Sequence, residues 1–160
     1  ISMALRMHLS PVDVIRVVNE EFYDAYTRTD LMATVAVMTL SPRTGAFEVA
    51  NAGHPPVLAR HKGHWMRLAA TEPPIGVLPS LRPEPQVLML NPNDLIICYS
   101  DGFTELRTRD RLWGQTGLLN SIPLGAKDVR GLTRHIVASS QRAGEVDDDQ
   151  TLVTAIFTGE

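Results

Sequence analysis

Disulfide bracing is absent from this chain: Cys98 is the single cysteine among 160 residues, so no intramolecular bridge can form. It sits inside an apolar run, where a small buried thiol is expected rather than a nucleophile. The low cysteine count suits a reducing compartment, and a cytoplasmic location is the expectation. There is no basic excess. Fifteen Lys and Arg face eighteen Asp and Glu, giving a net charge of −3 and a pI near 5.9, which argues against nucleic acid as a partner. The densest basic stretch, Arg107-Thr108-Arg109-Asp110-Arg111, is broken by an acid and reads as a solvated loop. No stretch approaches the roughly 20 apolar residues of a spanning helix, so no membrane role is expected for this domain. The first nine residues carry no secretory pattern. Nucleophile elbow, glycine-rich phosphate loop and zinc signature are all missing. The five histidines, His8, His54, His61, His64 and His135, show no ligand spacing, and His61 and His64 are expected to be exposed beside a turn.

What is present is an ordinary globular composition, 44% hydrophobic and 21% charged, with enough length for one domain and a real core. Ser10-Pro11-Val12-Asp13 is a helix start: Ser10 caps, Pro11 suits the first helical position and Asp13 completes a capping box. Val14, Val17, Val18, Phe22 and Tyr26 follow at helical spacing and predict the buried stripe. Residues 1–8 suggest the end of a preceding helix. Strand character then dominates over 31–40, 46–50, 56–60, 65–68 and 86–90, with tight turns between, predicting an antiparallel meander. Residues 71–79 form a Pro/Gly-rich surface loop. Helices are predicted over 114–122 and 128–139, the latter with a stripe of Val129, Leu132 and Ile136, and a last strand over 151–157. Serial strands with helices set apart define an α+β class.

Carboxylates stand at two strand ends. Leu95-Ile96-Ile97-Cys98-Tyr99 is a buried strand whose tip delivers Ser100-Asp101-Gly102. Because side chains alternate, Leu95, Ile97, Tyr99 and Asp101 are expected on one face. Asp-Gly is also a common turn dipeptide. The second group, Asp147-Asp148-Asp149, precedes the last strand. Three adjacent acids repel and need solvent, a cation or basic partners, and carboxylates without Cys or paired His suit a hard cation such as Mg²⁺ or Mn²⁺.

Four motifs occur in order: Asn51-Ala52-Gly53-His54-Pro55-Pro56, Pro74-Ile75-Gly76-Val77, Tyr99-Ser100-Asp101-Gly102-Phe103-Thr104-Glu105 and Asp148-Asp149-Gln150-Thr151-Leu152. Together they resemble the SpoIIE-type serine phosphatases, the bacterial branch of the metal-dependent type-2C (PPM) phosphatase superfamily, from about Ser10 to the C-terminus. The resemblance implies a two-layer antiparallel β-sandwich flanked by helices, with two Mn²⁺ or Mg²⁺ ions at one end. It implies Asp101 and Asp148 as metal ligands, Asp149 as the register alternative, and Gly53, His54 and Gly102 as structural neighbours of the site. The catalytic group would be a metal-activated water, with no protein nucleophile. The substrate would be a phosphoserine or phosphothreonine protein, such as an anti-sigma-factor antagonist, in a signal-transduction role. A non-catalytic interaction domain of the same fold is the alternative. The family's upstream Gly-Asp-x-x-Gly-His-Gly motif does not occur in these residues. Residues 1–160 are therefore expected to be one such domain lacking its first strands, inactive or metal-free by itself. An upstream sensory domain in the parent protein and pairing of uncovered sheet edges into a homodimer are further expectations.

Overall fold

The computed structural model describes residues 9–26, 31–108, 112–123, 125–145 and 148–159. The expectations for residues 1–8, for Arg109 to Arg111 and for Asp147 lie outside these. Helix α1 (Pro11–Tyr26) starts as its sequence dictates: Asp13 N donates to Ser10 Oγ at 3.2 Å and Ser10 Oγ donates to the Asp13 carboxylate at 2.7 Å. Seven strands follow, β1 (Val35–Leu40), β2 (Ala46–Ala52), β3 (Val57–His61), β4 (His64–Leu68), β5 (Gln86–Met89), β6 (Leu95–Tyr99) and β7 (Leu152–Ile156). Helices α2 (Gly114–Asn120) and α3 (Val129–Ala143) lie between β6 and β7.

The strands form two antiparallel sheets, β1-β2-β5 and β4-β3-β6-β7. The expected single meander is thus two hairpins in different sheets, since the chain changes layer between β2 and β3. Asn51 directs that crossing. It is fully buried, takes His54 N on Oδ1 at 3.0 Å, and donates from Nδ2 to His54 O at 3.1 Å. Gly53 then turns the chain at φ +69°, where a side chain would collide with the Pro74 ring.

Strand alternation sorts the apolar residues into three layers. Phe47 and Val49 of β2 meet Val57 and Ala59 of β3 and Ile96 of β6 between the sheets. Ala50 and Ala52 face α1, where Ile15 is buried with Ile75 and Leu81. Leu58, Leu95, Ile97 and Tyr99 face the other helices and bury Leu118, Ile122, Leu132 and Ile136. Thus helices flank both sheets. The α1 stripe is shifted from the expected one: Ile15 is its buried centre and Val17 is 40% exposed. Asn19 holds a core position because both ends of its amide are used, donating to Leu78 O at 3.1 Å and accepting Gly76 N at 3.0 Å. The 71–79 loop is consequently packed on α1, with Ile75 buried, rather than lying wholly at the surface. In α3, Leu132 and Ile136 are buried as expected, and Val129 is exposed. On one side of the sandwich, a cleft of about 150 Å³ lined by Met38, Leu40, Phe47, Ile96, Cys98 and Val153 opens between β1 and β7.

At the start of β6, Asp94 is buried and accepts three donors: Asn91 N at 2.7 Å, His61 Nδ1 at 2.6 Å and Lys62 N at 3.1 Å. His61 is therefore a paired, largely buried side chain, contrary to the exposed one expected. Burial works to raise the Asp94 pKa, but the three hydrogen bonds and the His61 charge outweigh it and hold the carboxyl below its ordinary value. A depressed carboxylate contributes stability above its unfolded pKa, near ~3.9, and loses that contribution as pH falls through its folded value. Asp94→Asn should cost about 1–3 kcal/mol at neutral pH by leaving buried donors unsatisfied. Urea denaturation at pH 7 and pH 3 should show a smaller mutant–wild-type gap at pH 3; an unchanged gap would refute the charge-based account.

Candidate metal centre

Site geometry starts with the β6–β7 ladder, in which Tyr99 pairs with Leu152. The pairing continues past both strands: Ser100 N donates to Thr151 O, and Thr151 N donates to Ser100 Oγ, each at 2.9 Å. Ser100 Oγ in turn donates to Asp149 O at 3.1 Å. This hydroxyl draws together chain segments 49 residues apart. Beyond Ser100 the strand gives way to a single 3-10 turn, Asp101–Phe103. Asp101 therefore leaves the alternating strand face on which it was expected, and its side chain is exposed at the rim. Asp101 O closes the turn by accepting Thr104 N at 2.7 Å and Glu105 N at 2.8 Å.

Gly102 is buried where the two segments touch. A Cβ there would stand 2.5 Å from Asp149 O and 3.3 Å from Asp148 O, so only glycine allows this approach. Gln150 adds a lateral tie, with Nε2 donating to Gly102 O at 2.9 Å and Oε1 accepting from the buried Ser140 of α3 at 3.3 Å. Asp101, Asp148 and Asp149 are thus carried on adjoining loops at one end of β6 and β7. Asp148 lines a cavity of about 250 Å³ with Gly102, Glu105, Leu106, Arg107 and Leu112, and Asp149 does not. Register puts a third segment at this end. Because Leu58 pairs with Ile97, the residues leading into β3 reach the same end of the sheet at which β6 finishes. Gly53 and His54 belong to that lead-in; His54 is held by Asn51, and its Nδ1 lies 2.9 Å from Pro55 O.

Hard-cation chemistry fits part of this arrangement. Asp101 Oδ1 accepts its neighbour Gly102 N at 3.1 Å, and Asp148 Oδ1 accepts Asp149 N at 2.7 Å. Among the described residues the second oxygen of each carboxylate accepts no hydrogen bond. Oxygen donors of this kind suit Mg²⁺ or Mn²⁺. The described residues do not, however, bring three His, Cys, Asp or Glu side chains together, so among them no full coordination shell is assembled. Cys98 offers no competing chemistry, since burial pushes its thiol pKa up. No helix among the described residues is long and apolar enough to cross a membrane.

Sequence reasoning found the acids but missed their fastenings. Ser100 and Gln150 stood within the quoted motifs, but the bonds by which they tie the two loops, Ser100 to Asp149 O and Gln150 to Gly102 O, span 49 and 48 residues and have no local signature. Asn51 was similarly present in its motif without its buried role being visible.

Comparison with known proteins gives the family and the fold. Residues 1–158 match the family of Stage II sporulation protein E (SpoIIE), and the chain belongs to that family. It is 25% identical over 113 residues to protein IcfG of Synechocystis, a stretch covering 69% of this chain and 18% of that protein. Against the RsbU and RsbW domains of Rv1364c from Mycobacterium tuberculosis, the TM-score is 0.76 at 25% identity, covering 99% of this chain and 47% of the other. The phosphatase domain of SpoIIE from Bacillus subtilis, presoaked in manganese, shares the fold at a TM-score of 0.60 and 18% identity, covering 89% of this chain and 65% of that one. The chain therefore spans less than half of the first two relatives. Its two-sheet architecture with flanking helices is that of the type-2C phosphatase domains.

Gly102→Ala should force the 148–150 loop away from Asp101 and lower stability by about 1–3 kcal/mol, as overpacking does. Thermal unfolding of the variant checks this, and an unchanged melting temperature would mean that the loops are not in the contact described.

Proposed function

We propose that this domain belongs to a metal-dependent phosphatase that hydrolyses phosphoserine or phosphothreonine on a regulatory protein. The supporting observation is the contact at Gly102, where the loop that carries Asp101 meets the loop that carries Asp148, and Gly102 and Asp148 line one cavity. Family membership points the same way, as does the manganese treatment of the Bacillus subtilis domain.

In this reading Asp101 and Asp148 would hold a divalent cation, Mn²⁺ or Mg²⁺, through carboxylate oxygens left without hydrogen-bond donors among the described residues. Asp149, whose carbonyl is engaged by Ser100, stands beside them. When bound, such a cation acidifies a bound water and neutralises phosphoryl charge, which removes the need for a protein nucleophile. The chain's own residues do the positioning. Ser100, Gln150 and Gly102 fix the spacing of the two loops, and Asn51 secures the Gly53-His54 lead-in at the same end. Arg107 is among the residues that line the cavity with Asp148. A phosphorylated anti-sigma-factor antagonist remains the substrate class that the resemblance suggests.

One observation favours the second reading, an interaction domain without catalysis: the described residues assemble no three-ligand cluster. Metal-dependent turnover separates the two. Phosphate release from a phosphoserine peptide by the full-length protein should require Mn²⁺. Asp101→Asn and Asp148→Asn should each lower kcat/KM by about 100-fold or more, as expected for loss of a metal-holding group. Asp149→Asn should have the smaller effect. Full activity in both of the first two variants would overturn their assignment, and no turnover by the wild-type protein would favour the interaction domain.

A further inference from the structure

A second cavity lies beside this site, between α2 and α3. It measures about 720 Å³ and is lined by Trp113, Thr116 and Asn120 from one side and His135 and Ser139 from the other, together with Leu112. That volume falls within the roughly 300–1,000 Å³ of ligand-binding clefts. Leu112 also lines the smaller cavity that Asp148 lines, so the two cavities meet at this residue. The backbone joins them as well: Gly114 N, at the start of α2, donates to Thr104 O in the turn that carries Asp101, at 3.0 Å.

Charge makes the groove selective. Neither α2 nor α3 contains an aspartate or glutamate, while α3 carries Arg130, Arg134, His135 and Arg142, in a chain whose net charge is −3. Of the two carboxylates that bracket α3, Asp128 caps the helix and is occupied by Arg130 N and Gly131 N, and Glu145 lies three residues beyond Arg142. His135, Ser139 and Arg142 recur at i, i+4 and i+7, which aligns them along one face of α3. The Arg142 guanidinium donates to Ser139 Oγ at 3.1 Å, which brings a fixed positive charge to the rim. Thr116 and Asn120 form the matching polar row on α2 at i and i+4. The described lining residues offer hydroxyls, an amide, an indole and an imidazole but no carboxylate, and with the Arg142 guanidinium beside Ser139 they suit a peptide that carries acidic side chains.

Building on the phosphatase reading, we propose that the α2–α3 groove docks the acidic segment flanking the phosphorylated residue of the protein substrate. The phosphoryl group would then enter the adjoining cavity by way of Leu112. Docking here gives substrate selection a place separate from the groups that hold the metal.

Two fluorescein-labelled phosphoserine peptides test this, one with glutamates and one with lysines around the phosphoserine. Binding to the full-length protein is read by fluorescence anisotropy, and Mn²⁺-dependent phosphate release is followed in parallel. The wild-type protein should bind the glutamate peptide at least about tenfold more tightly, since complementary charges select partners. His135→Glu and Arg142→Glu, both at exposed positions, should bring that ratio towards one, and Arg142→Lys should preserve it. Equal binding of the two peptides by the wild type, or an undiminished preference in both Glu variants, would overturn the docking proposal. Because binding is measured without turnover, absence of phosphate release from either peptide and from p-nitrophenyl phosphate would count against the phosphatase reading alone.

Discussion

Everything at the candidate site depends on two backbones touching at Gly102. Carboxylates on separate loops would otherwise repel each other, and nothing in their own chemistry would hold them close. The approach is enforced by uncharged groups. The β6–β7 ladder runs on through Ser100 and Thr151, and Gln150 adds a tie to Gly102 O. Hydrogen bonds to main chain, made within an already paired sheet, offset the repulsion and leave the acids partly unsatisfied. An unsatisfied oxygen at a rigid rim is what a cation site requires.

The two ends of β6 show how environment assigns different roles to one residue type. At the start of the strand, Asp94 is buried and accepts two main-chain amides and an imidazole. Those donors use up its acceptor capacity, so it closes the sheet and has little left for a ligand. At the other end, Asp101 is exposed and takes one hydrogen bond on its carboxylate, from its own neighbour. Sequence presents both as an aspartate beside an apolar run. Only the count of donors around each carboxylate separates the structural acid from the candidate ligand.

That distinction explains how far the sequence could be read. Strand and helix types were legible because period-two and helical patterns are local. So was the capping box at Ser10, whose partners lie three residues apart. Long-range pairing was not. The expected meander failed because a tight turn and a passage between sheets look alike in a row of Asn, Gly and Pro. The α1 stripe was mis-phased because Asn19 fills a core position that a hydrophobic count ignores, made tolerable by Leu78 and Gly76 nearly 60 residues away. His61 was misread for the same reason, its partner lying 33 positions on. The neighbourhood of Asp101 and Asp148 was suggested by motif order alone, since no local pattern couples residues so far apart.

The position of β7 also bears on the site. Among the described residues it lies at the end of its sheet order, paired on one side by β6. Edge strands have half the ladder bonds of central ones, and their ends open most readily. The loop before β7 would therefore be a poor platform if it relied on the sheet alone. Its order comes instead from side chains that anchor it sideways: Ser100 on Asp149 O, and Ser140 of α3 on Gln150, which itself grips Gly102. Ser140 is fully buried and also donates to Val137 O, so this anchor reaches into the helix core. The helix that forms one wall of the large groove is thus the same helix that steadies the acidic loop. Because one rigid element serves both, the groove and the carboxylate rim keep a fixed spacing, as binding and chemistry on a single extended substrate would require.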